Sequence, residues 1–179
     1  METYELHVAG LTRELPICKV NEEISFAAFI MFGDVELTIA CAEELLKKAP
    51  EFDIIVTAES KGIPIAYEMA RQSGKTYIPA RKMAKLYMHD PIKVEVKSIS
   101  TAVQQTLWLD KADMEKINGS RILIIDDVIS TGESIIALEE LVKAAGGIIV
   151  GEGAVLAEGD AAKRDDIIFL EELPIIAND

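Results

Sequence analysis

The sequence predicts an α/β fold with a mainly parallel central sheet flanked by helices, and three observations carry that expectation. Runs such as Asp53-Ile-Ile-Val-Thr57 and Arg121-Ile-Leu-Ile-Ile125 lack polar alternation, which suits strands buried on both faces. Amphipathic segments of helical period stand between such runs, and strands that alternate with helices pair in parallel. The chain has 179 residues, half of them hydrophobic, enough for one compact domain with its own core and no disulfide or structural metal. In such sheets ligands lie at the carboxyl ends of the strands.

Residues 1–179 read as a single domain in which 1–33 form a small irregular or β-containing lobe and 34–179 the α/β core. The lobe holds Pro16, with Phe26, Phe29 and Phe32 spaced at three. Asp34 is placed to cap a helix whose apolar face is Val35, Leu37, Ile39, Ala42, Leu45 and Leu46, and Pro50 stops it. A strand over Asp53–Thr57, the turn Glu59–Gly62 and a helix through Arg71 follow. Thr76–Ala80 reads as a strand, Val94–Ile99 with Gln105–Leu109 as a hairpin, and Asn118-Gly119-Ser120 as a turn. Arg121–Asp126 is the most hydrophobic strand. Thr131–Ala145 is helical and ends at Gly146-Gly147. Ile148–Leu156 and Ile167–Leu170 complete the predicted sheet.

Charge narrows the function classes. Net charge is −13, from 31 acidic and 18 basic residues, a field that repels nucleic acid unless the bases are segregated. They are segregated in part: residues 61–97 carry eight Lys or Arg against three acids, which suits a site for a compact polyanion such as pyrophosphate. Cys18 and Cys41 fit no disulfide framework or metal spacing, and both are expected to be buried. His7 and His89 have no ligand partners at metal spacing, and Trp108 is expected in the core or at an interface. With no signal peptide or membrane span, the protein is expected to be cytoplasmic, with neither membrane nor nucleic acid as a partner.

The chemistry is concentrated in Arg121-Ile-Leu-Ile-Ile-Asp126-Asp127-Val128-Ile-Ser130-Thr131-Gly132-Glu133-Ser134. Free amides at a helix N-terminus, with the hydroxyls of Ser130, Thr131 and Ser134, make a phosphate cradle, and Gly132 lets the backbone approach the anion. Asp126 and Asp127 would repel phosphate, but they can accept hydrogen bonds from vicinal sugar hydroxyls or hold Mg²⁺ indirectly. A helix cap explains the serines and Glu133; it does not explain two aspartates delivered by buried apolar residues. There is no G-x-x-x-x-G-K-[ST] loop, and Gly151-Glu-Gly153 lacks the third glycine of a dinucleotide fingerprint.

This segment resembles the phosphoribosyl pyrophosphate (PRPP) motif of the type I phosphoribosyltransferases. Val56-Thr-Ala-Glu59-Ser60-Lys61-Gly62 resembles the family's pyrophosphate loop, and Pro79-Ala-Arg81-Lys82-Met-Ala-Lys85 its basic segment, in the expected order. The resemblance covers most of the chain and is strongest to the adenine and xanthine enzymes. It implies a type I phosphoribosyltransferase fold with an N-terminal hood, a β-hairpin lid with its tip at Ser98–Val103, a non-proline cis peptide near Glu59-Ser60, dependence on Mg²⁺ and a homodimer. It also implies that a purine base displaces pyrophosphate from PRPP to give a nucleoside 5′-monophosphate, as in purine salvage.

Site residues follow from the same resemblance. Asp126, Asp127 and Lys82 are the implied catalytic residues; Asp126, Asp127, Ser130, Thr131, Gly132, Glu133 and Ser134 bind PRPP. Glu59, Ser60, Lys61, Gly62, Arg81, Lys82 and Lys85 hold pyrophosphate, and Val128, Arg13 and Ala27 meet the base. Mg²⁺ is implied to be held mainly through PRPP and water, with Asp126 and Asp127 as candidate protein ligands. Ser130 stands where hypoxanthine–guanine members carry Asp, which departs from that subclass, and Ala27 where adenine members carry Arg, which departs from the adenine pattern; the resemblance, strongest to the adenine and xanthine enzymes, still sets the order of expectation as adenine, then xanthine or hypoxanthine and guanine. The rival class is an inactive PRPP-sensing regulator. Residues 1–50 hold four bases against nine acids and leave no room for a helix-turn-helix.

Overall fold

The computed structural model describes residues 2–97 and 104–178. The N-terminal lobe opens with β1 (Thr3–Val8) and β2 (Leu11–Lys19), an antiparallel pair joined at Ala9-Gly10, where both residues have positive φ. β3 (Ile24–Ala27) pairs with β2. Asp34 caps α1 (Val35–Lys48) as expected, its carboxylate accepting the Leu37 amide at 3.1 Å. β4 (Ile54–Ala58), α2 (Ile63–Ser73) and β5 (Thr76–Ala80) follow, and Gly74 ends α2 in the left-handed conformation. Next come the hairpin β6 (Ile92–Lys97) and β7 (Gln104–Leu109), α3 (Lys111–Ile117), β8 (Arg121–Ile129) and α4 (Glu133–Ala144). β9 (Ile148–Glu158), a 3₁₀ turn over Gly159–Lys163, β10 (Glu171–Leu173) and β11 (Ile175–Ala177) finish the fold.

The central sheet has the order β10-β9-β8-β4-β5, and every pair in it is parallel. The strand after β4 lies on one side of it, whereas the strand after β8 lies on the other. β4 and β8 are therefore neighbours at a point where the winding reverses, and a crevice opens beyond their carboxyl ends. Alternation along β8 feeds two cores. Leu123 and Ile125 pack with α1, α2 and the lobe through Leu37, Leu45, Ile65 and Met69; Ile122 and Ile124 pack with α4 and α3 through Leu138, Leu141 and Ile117. These side chains are all but fully buried, and each contributes about 1.5–3 kcal/mol by leaving water. β8 is thereby held rigidly, and so is whatever its carboxyl end carries.

Several expectations are corrected. The strand predicted to end at Asp126 continues to Ile129, so both aspartates lie within the ladder, opposite β9. α3 was not predicted; Asp110 caps it and its seven residues are too short for a clear helical period. Ile167–Leu170 is not a full strand. Ile168 makes an isolated bridge to β9 at Gly153, where its carbonyl would lie 2.5 Å from an added Cβ, and the Leu170 amide donates to the Val155 carbonyl at 3.0 Å; the ladder proper begins at Glu171. Cys41 is buried but Cys18 is only half-buried. β11 was also missed: it leaves the core and pairs with β3, closing a four-stranded antiparallel hood of order β1-β2-β3-β11. The predicted lid tip Ser98–Val103 lies outside the described residues.

Candidate active site

The crevice between β4 and β8 is a cleft of about 170 Å³ lined by Ala58, Glu59, Ser60, Lys61, Lys82, Leu107, Asp126, Asp127, Val128 and Ser134. Three segments remote in sequence meet there: the turn after β4, the stretch after β5 and the end of β8. The Glu59–Ser60 peptide is cis. Glu59 faces the basic segment: its carboxylate accepts the Lys82 amide at 3.0 Å and an Arg81 Nη2 hydrogen at 3.2 Å. That guanidinium holds the Glu59 carboxyl below its usual range. Arg81 also donates to the Tyr87 hydroxyl at 2.6 Å. Lys61 and Lys82 are left facing the cleft, whereas Lys85 does not line it.

The carboxylate pair is buried. Asp126 is 9% exposed and Asp127 3%. Asp126 accepts the Asp127 amide at 2.8 Å, and burial, with the Asp127 charge beside it, pushes the Asp126 carboxyl well above the usual carboxylate range. Asp127 Oδ2 lies 3.3 Å from Lys61 Nζ and has no hydrogen-bond partner. A buried acceptor in that state is poised for a donor that arrives with a ligand. Gly62 sits behind the pair; a Cβ there would run into the Thr57 hydroxyl and lie 2.9 Å from Asp126 Oδ1.

Beyond Ile129 the chain turns through Ser130-Thr131-Gly132 into α4. Gly132 holds φ +79° at the cap position and offers no side-chain cap, so the first amides of α4 are directed at the turn. The Arg164 guanidinium lies 3.4 Å from where a Gly132 Cβ would be, tied by two 2.8 Å bonds to Asp166. A second cavity, about 370 Å³, opens on the hood side of the same strand ends. Phe26, Ala27, Ala28, Phe29, Ile30, Lys61, Val128, Ser130, Glu158 and Leu173 line it.

The predicted residues thus separate into groups. Glu59, Ser60, Lys61, Lys82, Asp126, Asp127, Val128 and Ser134 share one cleft, while Ala27, Val128 and Ser130 share the adjoining cavity. Arg13 lines neither. Its guanidinium is held at the start of α1 by Asp34 and Glu36, both at 2.7 Å, because β2 runs beside that helix end. Glu158 was missed, although the carboxyl end of a strand adjacent to β8 was a place to look.

A domain of the family described as phosphoribosyl transferase matches residues 36–177, nearly all of the chain outside the hood strands. The chain belongs to the phosphoribosyltransferase family. Among its relatives, an adenine phosphoribosyltransferase of Fervidobacterium nodosum is 37% identical over 141 residues, 76% of this chain and 74% of that one. A xanthine phosphoribosyltransferase of an Exiguobacterium species is 34% identical over 121 residues, and the match spans 68% of this chain but only 62% of that enzyme. In structure, adenine phosphoribosyltransferase from Thermoanaerobacter pseudethanolicus superposes with a TM-score of 0.67 at 25% identity, covering 79% of this chain and 84% of that one. The Saccharomyces cerevisiae enzyme, at 23% identity, shares the fold with a TM-score of 0.69 over 88% of this chain and 92% of its own.

Proposed function

We propose that this phosphoribosyltransferase is a cytoplasmic, Mg²⁺-dependent purine salvage enzyme that joins a purine base, adenine before xanthine, hypoxanthine or guanine, to PRPP. The observation that carries this reading is the convergence, at one winding reversal, of a basic turn, a buried carboxylate pair and a phosphate-binding helix start. A base pocket adjoins all three.

In the reaction a ring nitrogen of the base forms a bond to the anomeric carbon of PRPP as the carbon–oxygen bond to pyrophosphate breaks. The ring N–H proton passes to the departing pyrophosphate or to water, and the nucleoside 5′-monophosphate and pyrophosphate leave. The turn Glu59–Gly62 with Lys61 and Lys82 receives the diphosphate, and Glu59 keeps Arg81 and the Lys82 backbone in place. Asp126 and Asp127 take the ribose hydroxyls, and Asp127, whose Oδ2 has no hydrogen bond of its own, supplies the negative charge that opposes positive charge developing on the sugar. Ser130, Thr131, Gly132, Glu133 and Ser134 cradle the 5′-phosphate through amides and hydroxyls. Val128 and Ala27 pack on the base. Positioning supplies most of the acceleration, because no covalent nucleophile is needed.

The chemistry of the donor set in the cleft, two buried carboxyls beside a basic turn, supports a magnesium ion as part of this reading, held mainly through the substrate and water. Asp126 and Asp127 would hold it through water, and when bound it would neutralise charge on the departing diphosphate.

A homodimer belongs to the same proposal. Val35, Ile39 and Tyr67 border an exposed groove between α1 and α2, and Met83, Leu86 and Tyr87 stand out from the basic segment. The deciding assay incubates the protein with PRPP, Mg²⁺ and each of four purines and measures pyrophosphate and nucleotide. Turnover that falls at least 100-fold in Asp127→Asn is expected. PRPP binding without turnover on any base would instead favour the regulator.

A further inference from the structure

We propose that Glu158 reads the base: its carboxylate accepts a hydrogen bond from the amino group of a 6-aminopurine and thereby sets the site against 6-oxopurines. The inference rests on the purine phosphoribosyltransferase reading above and names the residue that would select within that class.

Strand register places the side chain. Val128 on β8 is opposite Leu156 on β9, and Glu158 on β9 is opposite Leu173 on β10. Side chains two apart on a strand share a face, so Glu158 emerges on the face of Leu156 and hence of Val128. Leu156, Leu173 and Val128 all belong to the apolar cluster beneath the hood. Glu158 is thus an acid projecting from an apolar face at the edge of the 370 Å³ cavity.

Two charged side chains line that cavity, Lys61 and Glu158. Lys61 is directed to Asp127 Oδ2 at 3.3 Å. Glu158 has no hydrogen bond or ion pair among the described residues, so its carboxylate remains available. An ionised carboxylate only accepts hydrogen bonds. The exocyclic amine of adenine donates, whereas the O6 of hypoxanthine presents lone pairs to the same atoms. A base covering the cavity also shuts Glu158 off from water, so a mismatched edge leaves both acceptors unsatisfied. Sites that reject by an unmet polar group discriminate more strongly than sites that reject by shape.

The test compares kcat/KM for adenine, hypoxanthine and guanine in the wild type and in Glu158→Gln, with saturating PRPP and Mg²⁺. Glutamine keeps the size of the side chain and adds a donor. The wild type is expected to prefer adenine, and the variant to lower the adenine-to-hypoxanthine ratio on the order of tenfold or more. The KM for PRPP and the melting temperature should remain those of the wild type, which a loss of folding would not allow. An unchanged ratio in an active variant overturns the role of Glu158 and leaves the enzyme reading intact. Wild-type use of guanine or hypoxanthine as readily as adenine overturns it too. A wild type that turns over no purine overturns the underlying reading, and the inference falls with it.

Discussion

Gly62 lacks a side chain because the carboxylate pair leaves no room for one. An added Cβ would collide with the Thr57 hydroxyl, lie 2.9 Å from Asp126 Oδ1 and 3.2 Å from the Asp126 backbone, and these neighbours are locked in adjacent buried strands. Gly62→Ala should therefore displace the turn that carries Lys61 and destabilise the fold by about 1–3 kcal/mol. Thermal melting checks the second effect, and the KM for PRPP, expected to rise, checks the first. Asp127→Asn acts differently. It keeps the volume and removes the charge that meets Lys61 at 3.3 Å, so chemistry should fail while the melting temperature changes little.

At the scale of elements, α4 and β9 meet through Glu139 and Glu152. Burial first, and then a hydrogen bond to Glu139, pushes the Glu152 carboxyl up to about 7, while Arg164, 3.9 Å away, opposes the rise and Asp166 adds to it. A carboxyl whose folded pKa is raised holds its proton better in the folded chain. The stability it contributes is complete below the unfolded value near 4.5 and is lost as pH rises through about 7. Glu152→Gln, which cannot ionise, should thus gain on the wild type between pH 5 and pH 8 by ~1–2 kcal/mol after discounting for partial solvent access. Denaturant melts at the two pH values measure the difference directly; a constant gap between the proteins would contradict the argument.

For the molecule as a whole, the exposed large apolar side chains are the conspicuous feature. Leu86 is fully exposed and Met83 65% exposed in the basic segment, and Val35, 67% exposed, lines an open groove between α1 and α2. Large exposed apolar surface on a chain of net charge −13 marks a contact with another molecule more than a solvated face. Sedimentation should give a mass near twice 19.6 kDa, and Leu86→Lys should shift it towards that of one chain. A single-chain mass for the wild type would remove the homodimer from the proposal.

The elements legible in the sequence were those whose signal is local. Asp34 capping α1, the apolar run of β8 and the Ser130–Gly132 turn each declare themselves within a few residues, since capping, two-faced burial and left-handed glycine depend on near neighbours. The Ser-Thr-Gly turn and the paired aspartates likewise stand out within a short stretch of sequence, and the structure brings Asp126, Asp127 and Ser134 to one cleft and Ser130 to the cavity beside it. Tertiary structure alone decided the rest. Pairing of β11 with β3, the capture of Arg13 by Asp34 and Glu36, and the emergence of Glu158 beside Val128 join residues up to about 150 positions apart. No sequence period encodes such contacts, because they are set by strand order and register, and a shift of one residue would turn Glu158 to the opposite face of the sheet.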